Sequence, residues 1–562
     1  MASVLREISV TDQVRTAPRV LMVFPRFDAN SFWCFKEPAE LHGAKYSAPP
    51  LGLITLAALL PASWQLRLID CNTGELTEDD VRAADLVLTG GMLPQWPSTT
   101  AIIALCNRLG VPVCVGGPSP TSTPEIYEAA DFRVIGEAEG IIHEFIGAWE
   151  RGERSGTFTA EKFKADVTKS PAPRFDLLNF RDYIYIGVQF SRGCPFTCEF
   201  CDIIELYGRS PRTKTVAQML GELERLHALG YRGHVDFVDD NLIGNKKAVK
   251  LFLPHLIAWQ KARGYPFRFS TEASLNLADD AELLGMLRQA NFFVVFIGIE
   301  TPDEETLIHT SKKQNTRRSI SESVHKIYAA GMFVTAGFIV GFDTETDAIG
   351  DAMIACVRDT AVPAAMIGLL TALPSTQLHR RLAKEGRLHS NDEWDREKPG
   401  DQCTAGLNFK TKRPRRQVLS DYKRILESVY DARAFFDRAT RVGLALDRPR
   451  LPEEAVQWRR IAHDVRTFVR LCWRMSVGHR ELAGPFWRMV ATLALRNPRA
   501  FEFAMVNVVM FTHLYPFSHF VIETLGQQIA AIDDGSYVEQ VPMAANTDAI
   551  RAKQPAALPA VA

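Results

Sequence analysis

Residues 185–201 read YIGVQFSRGCPFTCEFC, a short apolar strand-like run followed at once by three cysteines, Cys194, Cys198 and Cys201. With ten cysteines in 562 residues, composition alone would give a CxxxCxxC spacing roughly 0.003 times in a chain of this length. Ten are too sparse for a disulfide scaffold, and in a reducing compartment clustered cysteines serve metal binding or catalysis. Structural zinc is the plain alternative. It takes four protein ligands, and Cys34, Cys71, Cys106, Cys114, Cys356, Cys403 and Cys472 include no pair at ligand spacing. Three thiolates suit a [4Fe–4S] cluster better, because they leave one iron with an open coordination position.

The run at 185–190 heads a series. Similar runs at 234–238, 267–271, 293–299, 333–340 and 366–370 alternate with helical stretches such as 216–229 and 316–330. Six βα units predict a partial barrel over 184–390, with its chemistry at the carboxyl ends of the strands. Upstream, β-branched runs at 20–24, 66–69, 86–88, 111–115 and 133–135 alternate with helical stretches at 51–60, 99–109 and 140–150. That rhythm predicts an α/β domain, a doubly wound parallel sheet over 18–150, with any ligand beyond the carboxyl ends of its strands. A flexible tail at 1–17 and a polar linker at 151–183, marked by Pro171 and Pro173, flank this domain. From 391 to 532 the pattern becomes mainly helical, and the Ala- and Pro-rich stretch at 533–562 reads as disordered.

The whole chain balances 65 Lys+Arg against 66 Asp+Glu, a net charge of −1, so no nucleic-acid partner is expected. Apolar residues at 46% and charged ones at 23% are globular values. The N-terminal stretch lacks the apolar core of a secretory signal, and a cytoplasmic location is expected. Charge is uneven, however: residues 410–500 hold 21 Lys+Arg against 9 Asp+Glu. With Phe435, Phe436, Trp458, Trp473, Phe486, Trp487, Phe511 and Phe517, these helices read as a peripheral attachment to anionic lipid on the inner face of the membrane. The alternative is an ordinary helical subdomain with a solvated arginine face. The apolar stretch at 501–525, interrupted by Glu502, Asn507, His513, Pro516 and His519, is a poor transmembrane candidate.

The CxxxCxφC spacing, with Phe200 as the aromatic, closely resembles the signature of the radical S-adenosylmethionine (SAM) enzymes. The resemblance implies that SAM chelates the fourth iron and is cleaved to a 5′-deoxyadenosyl radical. Further matches follow at strand ends. Asp239, Asp240 and Asn241 stand where the family contacts the methionyl amine of SAM, and Glu272 and Glu300 where it binds ribose. Gly337 and Gly341 lie in a segment resembling the one beside the adenine. Taken singly, each acid fits a solvated loop or helix cap better than a binding role, and it is their recurrence at strand ends that points to function. The preceding α/β domain resembles a cobalamin-binding domain, through Gly90 and Gly91 after one strand and Gly116 and Gly117 after the next. Glycines allow close approach of a flat ligand, although turns would explain them too. The DxHxxG pattern of histidine-ligated cobalamin is replaced by Asp70-Cys71-Asn72-Thr73-Gly74, so a histidine lower ligand is not expected.

Over most of residues 18–530 the chain resembles the hopanoid C-2 methylase group of cobalamin-dependent radical SAM enzymes. That implies methyl transfer from SAM, through methylcobalamin, to an unactivated sp3 carbon of a hydrophobic substrate, C-2 of a hopanoid, with reduced flavodoxin or ferredoxin as electron donor. The alternatives are another cobalamin-dependent radical SAM reaction, such as tetrapyrrole ring formation or natural-product methylation, and a cobalamin-binding sensor with a structural metal site. The catalytic acid and base residues are not legible in the sequence.

Overall fold

The structure is a computed structural model describing residues 17–389, 402–404, 406–455 and 458–537. The tails expected at 1–17 and 533–562 fall almost wholly outside these residues, as does the boundary expected at 390/391.

The first compact unit comprises residues 1–26 and 52–177. Its strands are β1 (Arg19–Phe24), β2 (Gln65–Asp70), β3 (Leu86–Thr89), β4 (Val113–Gly116), β5 (Phe132–Ile135) and β6 (Gly156–Thr159). They pair in the order β2-β1-β3-β4-β5-β6, all parallel. Alternation along β1 builds two cores at once. Val20 and Met22 pack with Leu53 and Ala57 on one face, and Leu21 and Val23 with Ile102, Ile103 and Cys106 on the other. The order reverses between β1 and β3, so the crevice beyond their carboxyl ends is the expected ligand position in a doubly wound sheet.

Two sequence boundaries need correction. The stretch 151–183 is not simply a linker, because β6 lies within it and pairs with β5. As a short edge strand it half-buries alternate residues only, and Phe158, stacked on Phe132 with ring centres 6.5 Å apart, is its single apolar anchor. Nor is 18–150 one continuous domain, since residues 27–51 belong to the second unit. There the amides of Lys45 and Tyr46 donate to the Asp182 carbonyl, and Phe32 and Phe35 pack against the His513 ring.

The second unit, residues 27–51 and 178–562, contains β7 (Tyr185–Val188), β8 (Gly233–Phe237), β9 (Phe267–Ala273), β10 (Phe292–Glu300), β11 (Phe333–Val340) and β12 (Ala365–Leu369). These pair sequentially and in parallel, a half-barrel of six strands. Val235, Phe237, Phe269 and Val295 point under the helices and are fully buried. The opposite, inner face carries His234, Asp236, Ser270, Glu272, Phe296 and Gly337. The residues after 414 form helices Arg415–Val429, Ala432–Ala445, Trp458–Trp473, Arg480–Arg496 and Phe501–Asp533. The last is the one helix among the described residues long and apolar enough to cross a membrane. It packs on the first two of these helices and buries Phe503, Val508, Phe511 and Leu514, which makes it a core element of this unit.

Candidate active site

The three cysteines lie on a loop that leaves β7 and returns through a two-residue antiparallel pairing, Ser191–Arg192 with Arg212–Thr213. Asp239, fully buried just past β8, ties down the base of this loop. Its Oδ2 accepts from the Phe190 amide at 2.9 Å, and its Oδ1 from the Ser191 amide and hydroxyl at 2.5 Å each. Burial still pushes this carboxyl up to about 6. Gly193 turns the chain with φ of 95°, and a Cβ there would meet the Gly208 carbonyl oxygen at 2.9 Å. Only glycine suits both conditions.

Asp240 and Asn241 follow at the carboxyl end of β8. Asp240 Oδ2 accepts from the Gly193 amide at 3.4 Å. Burial first, and the charges of Asp239 and Asp202, push its carboxyl up to about 7. Asn241 Nδ2 faces Cys194 Sγ at 3.9 Å and Ser274 Oγ at 3.2 Å. From the far side, Gln314 Nε2 donates to Cys198 Sγ at 3.5 Å. Burial pushes the Cys194 and Cys201 thiols up, with Asp202 adding at Cys201. Amide donors aimed at sulfur favour the thiolate that an iron–sulfur cluster requires, and a bound cationic metal group offsets the burial cost. A zinc site needs four converging ligands, and among the described residues no three His, Cys, Asp or Glu side chains converge on a single-ion position. The donor set therefore fits a cluster held by Cys194, Cys198 and Cys201.

Glu272 and Glu300 both end on the inner face, in different surroundings. The Glu272 carboxylate has no hydrogen bond or ion pair among the described residues. The residue is accessible to solvent, while the surrounding protein still strips much of the hydration from its carboxylate. Burial, then Asp236, Asp240 and Asp239, push it up to about 8. Glu300 follows a register shift in β10, adopts φ of 69°, and accepts from Lys312 Nζ at 2.6 Å with both side chains buried. The carboxylate folds back over Gly298, where a Cβ would come within 2.4 Å of Glu300 Oε1. Lys312 Nζ also stands 5.9 Å from the centre of the Phe200 ring. Gly337 faces Phe296, whose ring would lie 3.1 Å from a Cβ there. Gly341 has φ of 111° and donates its amide to Glu345 Oε2 at 2.9 Å.

The cysteines, Asp240, Asn241, Glu272 and Glu300 are thus gathered at the carboxyl ends of one half-barrel. Asp239, expected beside the methionyl amine, instead has both oxygens engaged by the base of the cysteine loop, and Lys312, Gln314 and Glu345, which the sequence did not single out, complete the arrangement. Lys312 and Gln314 arrive across a helix, Glu304–His309, so no regular spacing announces them. In the first unit, Gly90, Gly91, Gly116 and Gly117 do meet at the carboxyl edge of the sheet. Their immediate reason is internal: a Cβ on Gly90 would lie 1.9 Å from the Gly116 carbonyl oxygen, and one on Gly91 2.5 Å from Gln95 Oε1. Buried Gln95 joins the loops after β1 and β3, its Nε2 donating to the Pro25 carbonyl at 2.5 Å and its Oε1 accepting from the Met92 amide at 3.0 Å. At the end of β2, Asp70 Oδ1 accepts from the Asn72 amide and side chain at 2.8 Å each.

Residues 188–354 match the radical SAM superfamily, and residues 376–527 match a domain of unknown function, DUF4070. An uncharacterized methyltransferase of Synechocystis sp. is 41% identical over 91% of this chain and 94% of its own length. The hopanoid C-2 methylase of Rhodopseudomonas palustris is 35% identical over 86% of this chain and 90% of its own. The structure is similar to that of the cobalamin-dependent S-adenosylmethionine radical enzyme OxsB with aqua-cobalamin bound, with a TM-score of 0.55 at 15% identity, covering 93% of this chain and 82% of that one. At that identity the likeness is one of fold.

Proposed function

Because this chain belongs to the radical SAM methyltransferases, the family that includes the hopanoid C-2 methylase, we propose that it moves a methyl group from SAM, by way of cobalamin, to C-2 of a hopanoid. The observation that carries the chemistry is the three-cysteine loop with amide donors at two of its sulfurs and an acidic inner face beside it. The substrate rests on the 35% identity to the Rhodopseudomonas enzyme, and cobalamin on the order of the first sheet together with the domain arrangement. When bound, the cluster, reduced by flavodoxin or ferredoxin, supplies the electron that cleaves SAM to a hydrogen-abstracting radical, and cobalamin supplies the methyl group.

The chain's own residues position these groups. Cys194, Cys198 and Cys201 would hold three irons of the cluster. Asp240 and Glu272 present carboxyls toward the inner face, where the ammonium group and ribose hydroxyls of SAM find acceptors. Lys312 keeps Glu300 oriented, and Asp239 holds the cysteine loop to β8. In the first unit, Gly90, Gly91, Gly116 and Gly117 would shape the backbone against the cofactor, and the Asp70–Gly74 stretch offers it no histidine. The enzyme works in the cytoplasm, at the inner face of the membrane in which its substrate resides.

Deleting the gene and profiling the lipids tests the substrate. Loss of 2-methylated hopanoids with their unmethylated precursors retained supports the reading. Persistence of the methylated lipids, with no second gene copy, removes the hopanoid while leaving the radical chemistry to be judged by anaerobic SAM cleavage.

A further inference from the structure

The helix Trp458–Trp473 places its large apolar residues outward. Trp458, Ile461, Val465, Val469 and Trp473 recur at spacings of three and four and therefore share one face. They are 75%, 44%, 56%, 60% and 69% exposed. The opposite face is engaged with the protein: Leu471 is fully buried, His463 Nε2 meets the His42 carbonyl at 2.7 Å, and Arg460 pairs with Glu502 at 3.1 Å. The exposed stripe continues through Val477 on the following π-turn to Trp487, whose Nε1 donates to Ser476 Oγ at 3.0 Å. An unpartnered stripe of this composition, some 16 residues or on the order of 24 Å long, is costly in water.

Charge identifies what covers it. Residues 458–499 contain nine arginines and only two acids, Asp464 and Glu481. Arg466, Arg480, Arg488, Arg496 and Arg499 are exposed and have no acidic partner among the described residues. Arg466 lies one residue past Val465, on the edge of the apolar stripe, and Arg488 adjoins Trp487. Two other parts of the basic module are otherwise occupied. Arg416 pairs with Asp533 at 2.5 Å, and Arg415 donates to the Leu407 carbonyl at 3.0 Å. Phe435, Phe436, Phe486 and Phe511 are buried, with Phe435 and Phe511 stacked at 3.8 Å.

We propose that the outward face of helix Trp458–Trp473, with Val477 and Trp487, is a membrane-docking surface that lies flat in the interface of an anionic bilayer, its tryptophans inserted and Arg466 and Arg488 on the headgroups. Tryptophan suits the depth where one ring edge is apolar and the other wet, and arginine suits phosphate. The inference rests on the reading of a bilayer-resident substrate, and it gives that substrate's route to the enzyme: the protein extracts it from the leaflet on which this face sits.

The full-length protein is sedimented with two kinds of vesicle free of hopanoid, one of neutral phosphatidylcholine and one containing about a third phosphatidylglycerol. The wild type is expected to bind the anionic vesicles and to lose binding as salt rises. Trp458→Ser with Trp473→Ser should weaken binding at least tenfold, and Arg466→Gln with Arg488→Gln by about 25-fold, since each arginine near an anionic surface is worth roughly fivefold. Leu251→Ser, which removes a residue 63% exposed elsewhere on the unit, should leave binding unchanged. Circular dichroism and SAM cleavage in solution should match the wild type in all three. Absence of wild-type binding, or unchanged binding by the tryptophan variant, overturns the proposal. So does a stable dimer in light scattering that the same tryptophan substitutions dissociate, which would assign the face to a second copy. Because the vesicles carry no hopanoid, vesicle binding and the lipid profile of the deletion strain fail independently.

Discussion

Asp239→Ala and Asp239→Asn separate the loop-holding role of this residue from its charge. The carboxylate is fully buried and accepts from the Phe190 amide and from the amide and hydroxyl of Ser191. Alanine leaves both buried amides without an acceptor, at about 1–3 kcal/mol each. The expected loss is therefore roughly 3–5 kcal/mol, a large part of a typical domain's 5–15 kcal/mol. Asparagine keeps an oxygen for Ser191 but turns an NH2 toward the Phe190 amide, orphaning one donor at about 1–3 kcal/mol. It also removes an ionisation penalty. The carboxyl is raised from 3.8 to about 6, so the protonated acid is favoured in the folded state. The stability this gives is full below pH 3.8 and is lost as pH rises through about 6, up to ~3 kcal/mol in all. The asparagine variant has no such loss. It should be clearly less stable than the wild type near pH 4.5 and close to it at pH 7.5, whereas alanine is worse at both. Urea unfolding of the metal-free protein across this range measures the difference, and iron content after anaerobic reconstitution reports the loop. An alanine variant within ~1 kcal/mol of the wild type and with full iron would refute the assignment of Asp239 as the tie between loop and strand.

Replacing Cys194, Cys198 or Cys201 by Ala should abolish SAM cleavage and deplete iron, measured on anaerobically reconstituted protein; retained activity in the triple variant would sink the cluster assignment. Gln314→Leu removes the amide donor to Cys198 Sγ and should lower the cluster's midpoint potential, by about 20–65 mV if the bond is worth ~0.5–1.5 kcal/mol, as followed by potentiometric electron paramagnetic resonance. Lys312→Met strips the buried Glu300 carboxylate of its ion pair and should cost about 3–5 kcal/mol in urea unfolding, as breaking a buried pair does, while Lys312→Met with Glu300→Gln should recover most of it. Protein loaded with cob(II)alamin should show no nitrogen superhyperfine splitting from an axial histidine, and its appearance would contradict the reading of the Asp70–Gly74 stretch.

The sequence determined most of what depends on local periodicity and covalent spacing. β-branched runs separated by helical stretches specified two parallel sheets, because a chain returning to a parallel neighbour needs a crossover, usually a helix. The β11 span read from the sequence, 333–340, is the observed strand. The cysteine spacing specified the chemistry because three thiolates on one short loop satisfy a cluster whatever else the chain does. Tertiary structure decided what depends on residues far apart in the chain. Strand β6 escaped notice because an edge strand needs only one apolar side chain, Phe158, and residues 27–51 joined the second unit through backbone contacts with Asp182 that no pattern records. Lys312 and Gln314 reach Glu300 and Cys198 only after a helix has intervened. Gly90 is glycine because a carbonyl 26 residues later occupies the place of its Cβ. The basic, aromatic C-terminal module was visible as composition, but composition does not say which aromatics face outward. Packing buried Phe435, Phe436 and Phe511 and paired Arg416, leaving the tryptophans of one helix in the open, because a helix has one inward face and the core is filled by whichever residues the neighbouring helices meet.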